Sequence, residues 1–377
     1  MLRFTPAPEL LELVRDHVEW AEAARRPAQP VMDAFAAAGL LRLLAPASYG
    51  GGEATMREFV EVIEQVAGVD GSAGWTLMTC NEEIEIAAGY LPGATMSALL
   101  HERPAVIVAG SGAALGRARP EPGGWRLSGR WPFVTGGPAA HEIVVCAQVD
   151  EPKPRRLCFA LLPAEQVTIL DTWTTAGLRG TGSHDVTLDD VFVPEPRTGI
   201  VASGRVTMPD AALFRLPPAL RFPFPKVGVA AGIARHAIDA FVDLAGAKKA
   251  RVSRTLLCDR PDAQLAMAEA EALLGSGRAF AFELIEEVWS YAVRAERVPR
   301  PVHARARLAC SHAVASCVKA VETLCTAAGT TANLAGSPLE RCLRDVRAVP
   351  QHVMVGGFHA LDAGRVLLGL GASDPAF

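Results

Sequence analysis

The sequence predicts a mainly α-helical protein with a small β domain at its centre, and three observations carry the prediction. Apolar residues recur at helical spacing up to about residue 103 and again from about residue 207. Between them, short β-rich runs about ten to fifteen residues apart alternate with Gly and Pro. Half of the 377 residues are apolar and 21% are charged, enough for a sizeable core and too apolar for a disordered chain. The expected division is an N-terminal helical domain over 1–103, a small β-barrel over 104–206 and a C-terminal four-helix bundle over 207–377.

In the first region Leu10, Leu11, Leu13, Val14, Val18 and Ala21 form one helical stripe, and Phe59, Val60, Val62, Ile63 and Val66 another. The stretch GLLRLLAPASYGGGEA interrupts them with Pro46 and three glycines. A helix is expected from near Ser72, with Pro92 after its end. The β runs are AVIVAG, GWRLSGRWPFV, EIVVCAQV, LCFALLP and HDVTLDDVFV, and the run from Pro120 to Gly124 reads as a hairpin connection. Long helices are then expected over 219–250, 261–293 and 302–329, followed by PLERCLRDVRAV and a last segment up to Leu370. Pro261 sits near a first helical position, where its missing N–H costs nothing. Ala309, Ala313, Cys317, Val321 and Leu324 form an apolar stripe.

A net charge of −4, with no Lys/Arg block, excludes the electrostatic footprint of a nucleic-acid binder. No apolar run reaches the roughly 18 residues of a spanning helix, and the start lacks a signal-peptide core. No membrane association and a cytoplasmic location are therefore expected. None of the eight cysteines forms a CxxC pair, so no metal site is expected, and they read as buried free thiols.

Five motifs follow one another along the chain: AAAGLLRLLAPASYGGGEA, GVDGSAGW, GGWRLSGRWPFVTGG, GLRGTGSHDVTLDDVFVP and LERCLRDVRAV. In this order, over about residues 30–370, the chain resembles the acyl-CoA dehydrogenase superfamily. Within it the chain is similar to the flavin-dependent two-component monooxygenases, the branch of the 4-hydroxyphenylacetate hydroxylase oxygenase component and of dibenzothiophene monooxygenase. The resemblance implies reduced FMN or FAD, O₂, a small aromatic, polycyclic or amine substrate, a separate flavin reductase and a homotetramer. It places Thr135 against the flavin ring, with Phe133 and Gly136 in the same run. Residues 109–113 stand where dehydrogenases carry a Thr-Glu-Pro run that grips flavin and substrate, so backbone amides and the Ser111 hydroxyl would do that work here, the alternative being a plain loop. Trp75 lies on the helix expected along the flavin edge. Arg254, ten residues before Gln264, approximates an Arg that binds the flavin phosphates of a neighbouring subunit.

The residues also separate two chemistries. A thioester dehydrogenase needs a positioned carboxylate as base. The usual position, eight residues after Asp345, is Val353, and neither 346–361 nor 211–238 contains an Asp or Glu. An oxygenase must keep oxygenated flavin from water and control a proton beside it. His352, seven residues after Asp345, sits where several oxygenases of this branch place a histidine, and imidazole titrates near neutrality. His359 has a weaker claim. A second histidine, common eight residues after the helix Trp, is Glu83 here. Glu83 reads either as a base toward a phenol or amine or as a solvent-facing side chain. The alternatives to a monooxygenase are an acyl-thioester dehydrogenase and a flavin-less scaffold of the same fold.

Overall fold

Side-chain caps open the helices that start at Met56 and Gly71, and proline at the first or second helical position opens most of the others. The structure is a computed structural model describing residues 3–151, 156–201, 209–249 and 255–372. Its first region holds α1 (Pro8–Ala24), α2 (Gln29–Ala37), α3 (Met56–Ala67), α4 (Gly71–Tyr90) and α5 (Gly93–Glu102). Thr55 and Glu58 close a reciprocal capping box on α3. The Asp70 carboxylate accepts the Ala73 N–H at 2.8 Å, so α4 opens one residue before Ser72. Helix α4 has no single apolar stripe, and it is buried on most of its circumference.

The central region is one seven-stranded sheet. Its strands are β1 (Val108–Glu121), β2 (Gly124–Val134), β3 (Glu142–Val149), β4 (Leu157–Pro163), β5 (Thr168–Leu170), β6 (His184–Pro194) and β7 (Thr198–Val201), in the order β5-β6-β2-β1-β3-β4-β7. Among the described residues only β1 and β3 pair in parallel. Among the described residues no ladder joins β5 to β7, so the sheet is open and the expected barrel is not closed. The edges explain this: β5 has three residues and β7 four, too few to carry a closing ladder. Edge strand β7 is instead pressed on the end of α4, where a Cβ on Gly199 would fall 1.7 Å from the Tyr90 carbonyl oxygen. The expected hairpin is present, with Glu121 opposite Gly124 and Gly123 at φ +84°. Residues 109–113 are not a loop: they belong to β1, whose pairing with β3 shifts register between Ser111 and Gly116.

The last region holds α6 (Pro218–Arg221), α7 (Pro223–Ala247), α8 (Pro261–Val293), α9 (Arg300–Ala328), α10 (Pro338–Ala348) and α11 (His359–Leu367). The single helix expected over 219–250 is broken at Phe222, because Pro223 has no N–H to continue α6. Helix α9 packs against α7, α8, α10 and α11. With its extension to Asn333 it is long and apolar enough to cross a membrane, but 61% of its most apolar window is buried in this packing. All eight cysteines are free, and only Cys258 is exposed.

Three apolar clusters result, and α4 belongs to two of them. Leu77, Met78 and Cys80 join the core shared by the N-terminal and C-terminal helices. Ile84 and Ala87 join a cluster with Val108 of β1 and Val144 of β3. Helix α4 thus lies between the helical core and the sheet, and the candidate site forms on it.

Candidate active site

The end of β2 is locally strained. Trp131 is fully buried and its indole N–H donates to the Cys146 carbonyl at 2.7 Å. Pairing with β6 then slips between Trp131 and Val134. Phe133, inside that bulge, takes φ +62° and stands 68% exposed, edge-on to Trp173 with ring centroids 6.2 Å apart. A bulky residue in the left-handed region is costly and is held by its surroundings.

Beyond the bulge, Thr135 is buried and its hydroxyl lies 2.7 Å from that of Ser183. Ser183 is in turn 2.8 Å from the Thr181 hydroxyl, which reaches the Leu178 carbonyl at 2.8 Å. Each hydroxyl has one proton and the Leu178 carbonyl can only accept, so the chain runs from Thr135 through Ser183 and Thr181 to Leu178. Thr135 therefore gives its proton to Ser183 and presents an acceptor outward. The Gly136 N–H donates to the Thr181 carbonyl at 2.9 Å. Gly136 has φ +74°, and a Cβ there would lie 3.3 Å from both Cys80 and Thr76 of α4.

The loop over 177–183 is clamped from α10. The Leu178 N–H donates to Asp345 at 2.6 Å, and a Cβ on Gly177 would fall 2.2 Å from the Arg344 carbonyl oxygen. Arg344 itself pairs with Glu340 and Glu22. The Arg-Asp pair is thus a structural clamp for the Gly-rich loop. Burial, then the neighbouring Asp70 carboxylate, pushes Asp345 up to about 7.

On the far side of α4, Trp75 and His352 meet edge-on, their ring centroids 5.7 Å apart. The Met354 N–H donates to His352 Nδ1 at 3.2 Å. A neutral imidazole so bonded carries its proton on Nε2. Burial, helped by Lys226 and Arg307, holds His352 down at about 3, so the ring is neutral at physiological pH rather than titrating there. His359 is tied up, contacting Arg307 and donating to the Val353 carbonyl at 2.7 Å. Val353, the dehydrogenase base position, is exposed.

Glu83 does not face solvent. It is buried on α4 between Glu82 and Glu85. Lys226 holds both oxygens of Glu82 at 2.5 Å, and Arg221 reaches Glu85 at 2.5 Å. Burial nevertheless outweighs these cations: Glu82 is raised, Glu85 rises to about 7 and Glu83 to about 8. The neighbouring Asn81 is structural, accepting from the Leu43 N–H at 2.7 Å and donating to the Leu40 carbonyl at 2.8 Å. Ser111 is half-buried on β1 and accepts weakly from the Ala113 N–H at 3.4 Å. Arg254 lies outside the described residues.

The structure therefore gathers Thr135, Gly136 and the 177–183 loop on one side of α4, and Trp75 and His352 on another. Sequence reasoning missed Lys226 and Arg221, because 211–238 was searched for acids alone. The signal was there: a Lys inside RFPFPKVGV and three Glu in NEEIE, both in apolar surroundings. The site suits a flavin ring, with an exposed aromatic at a strained position, a hydroxyl chain that leaves Thr135 an acceptor, and small residues beside them.

The chain is similar to known proteins. Residues 10–88 match the family described as acyl-CoA dehydrogenase, N-terminal domain, and residues 226–356 its C-terminal domain. Indole-3-acetate monooxygenase of Pseudomonas putida is 35% identical over 96% of this chain and 92% of its own length. The oxygenase component of the FADH(2)-dependent resorcinol hydroxylase of a Rhizobium species is 28% identical over 91% of this chain and 88% of its own. XiaF from a Streptomyces species, solved with FADH2 and glycerol, superposes with a TM-score of 0.88 at 25% identity, covering 98% of this chain and 97% of that one. The chain belongs to the acyl-CoA dehydrogenase superfamily, in its branch of flavin-dependent monooxygenases that act as oxygenase components.

Proposed function

We propose that this protein hydroxylates a small aromatic substrate with O₂, using reduced FMN or FAD delivered by a separate reductase. The observation that carries the reading is His352: a neutral imidazole with its free N–H beside Trp75, in a segment, 346–361, that has no carboxylate to serve a dehydrogenase. The relative named indole-3-acetate monooxygenase supports an indole-type ring over the polycyclic and amine substrates the branch also takes.

When bound, reduced flavin supplies the electrons that activate O₂. Phe133, Thr135, Gly136 and Ser111 hold its ring. Thr135 matches a ring nitrogen that carries hydrogen, because its own proton is given to Ser183. Trp75 walls the substrate side. His352 Nε2–H holds a proton in place without releasing it, since the ring stays neutral. The apolar surroundings on α4 and α7 exclude water. Glu83 faces the substrate.

The assembly is a homotetramer in the cytoplasm. Exposed Val353, Phe358, Leu361 and Leu368 support burial against another subunit. Arg254 then reaches a neighbour's flavin phosphates. The three regions 1–103, 104–206 and 207–377 are its domains, and α7, α8, α9 and α10 its four-helix bundle.

Anaerobic titration with reduced FMN and reduced FAD, followed by O₂ and an indole, tests the reading. Tight binding of one reduced flavin and a hydroxylated indole are expected. Bleaching of bound oxidised flavin by an acyl-CoA, with no hydroxylation, would reverse the assignment.

A further inference from the structure

Helix α4 carries three buried carboxyls within four residues, Glu82, Glu83 and Glu85, and among the described residues two cations pair with them. Lys226 takes Glu82 and Arg221 takes Glu85. Glu83 is left over. Its Oε2 is buried with no hydrogen-bond partner among the described residues. Around it stand Cys80 on its own helix, Cys146 of β3, Gly110 of β1 and, further off, Lys226 of α7. None of these supplies a strong donor to that oxygen.

The backbone of β1 makes way for this carboxyl. A Cβ on Gly110 would lie 2.9 Å from Glu83 Oε2, and Gly112 follows on the same bulged segment, its own Cβ position 3.3 Å from Ile86. Buried polar atoms are almost always paired, and one without a partner calls for an explanation. An unpaired buried carboxylate is costly, and burial keeps Glu83 protonated to about 8. A buried oxygen left in this state gains by receiving a donor from a ligand.

We infer that Glu83 is a substrate-recognition residue that accepts a hydrogen bond from an N–H or O–H on the aromatic ring of the substrate. This rests on the aromatic-substrate reading above and narrows it to rings that carry such a donor.

The test compares indole with benzothiophene, a fused ring of the same shape with sulfur in place of the N–H. Both are titrated calorimetrically into the flavin-loaded protein, into Glu83→Leu and into Glu83→Gln, with melting curves to verify folding. Wild type is expected to bind indole about tenfold or more tightly than benzothiophene, as loss of a hydrogen bond to a carboxyl implies. In Glu83→Leu the ratio falls towards one, while Glu83→Gln, whose amide oxygen still accepts, keeps most of it. Discrimination unchanged in Glu83→Leu would overturn the inference. Equal binding of both rings to wild type would overturn it too and leave the aromatic reading standing. Failure of both rings to bind wild type would bring down the aromatic reading together with it.

Discussion

His352 presents its ring edge-on to Trp75 at 68°, so a histidine near the C-terminal end of the chain and a tryptophan on α4 form one wall. Replacing His352 by Ala is expected to leave reduced-flavin binding nearly intact. Product yield should fall, by up to about tenfold for one lost hydrogen bond, with H₂O₂ released in matching amount. Oxygen consumption and product measured together decide it; full coupling in the variant would return His352 to a packing role.

The same residue has a stability signature. Its folded-state value of about 3 lies below the ordinary 6.5, so between these the unfolded chain binds a proton that the native state does not. His352 therefore contributes stability in full above about pH 6.5, and that contribution is lost as pH falls toward 3. Melting curves from pH 7 to pH 4 should show a smaller acid loss in His352→Ala than in wild type.

Asp345 has the opposite sign. Its value, raised from 3.8 to about 7, means the native state keeps a proton that the unfolded chain releases, so stability declines as pH rises through that window. Asp345→Asn still accepts the Leu178 N–H and has no charge to bury. The variant should match wild type near pH 3.5 and melt higher at pH 8. An identical difference at both pH values would refute the buried-charge account of this clamp.

Thr135→Val removes the outer hydroxyl of the chain through Ser183. Flavin affinity should drop by about 0.5–1.5 kcal/mol, the worth of one neutral hydrogen bond. Fluorescence titration with both flavin redox states reads it, and unchanged affinity would make Thr135 a strand end only.

Gly110→Ala places a methyl 2.2 Å from the Val144 carbonyl oxygen as well as against Glu83. Overpacking at such a site costs about 1–3 kcal/mol, so the melting temperature should fall and discrimination between indole and benzothiophene should narrow. A variant with native stability would show that β1 is not tightly seated on β3 there.

Much of this protein was legible in its residues. The helices over 261–293 and 338–348, the strands over 142–149 and 157–163 and the Pro-Gly hairpin are written in proline helix starts, apolar patterning and turn chemistry, which act within a few residues. The run 131–137, the loop 177–183 and the missing acid in 346–361 were enough to mark a flavin oxygenase. Tertiary structure alone decided the rest. Whether β5 meets β7 depends on what covers a sheet edge, and here the end of α4 covers it. That Glu83 is buried and unpaired, that Lys226 and Arg221 answer its neighbours, and that His352 is neutral all depend on the polarity of a site built from α4, α7 and the segment after α10. A side chain's charge state follows from the dielectric and the charges packed around it, and those come from residues far apart in sequence.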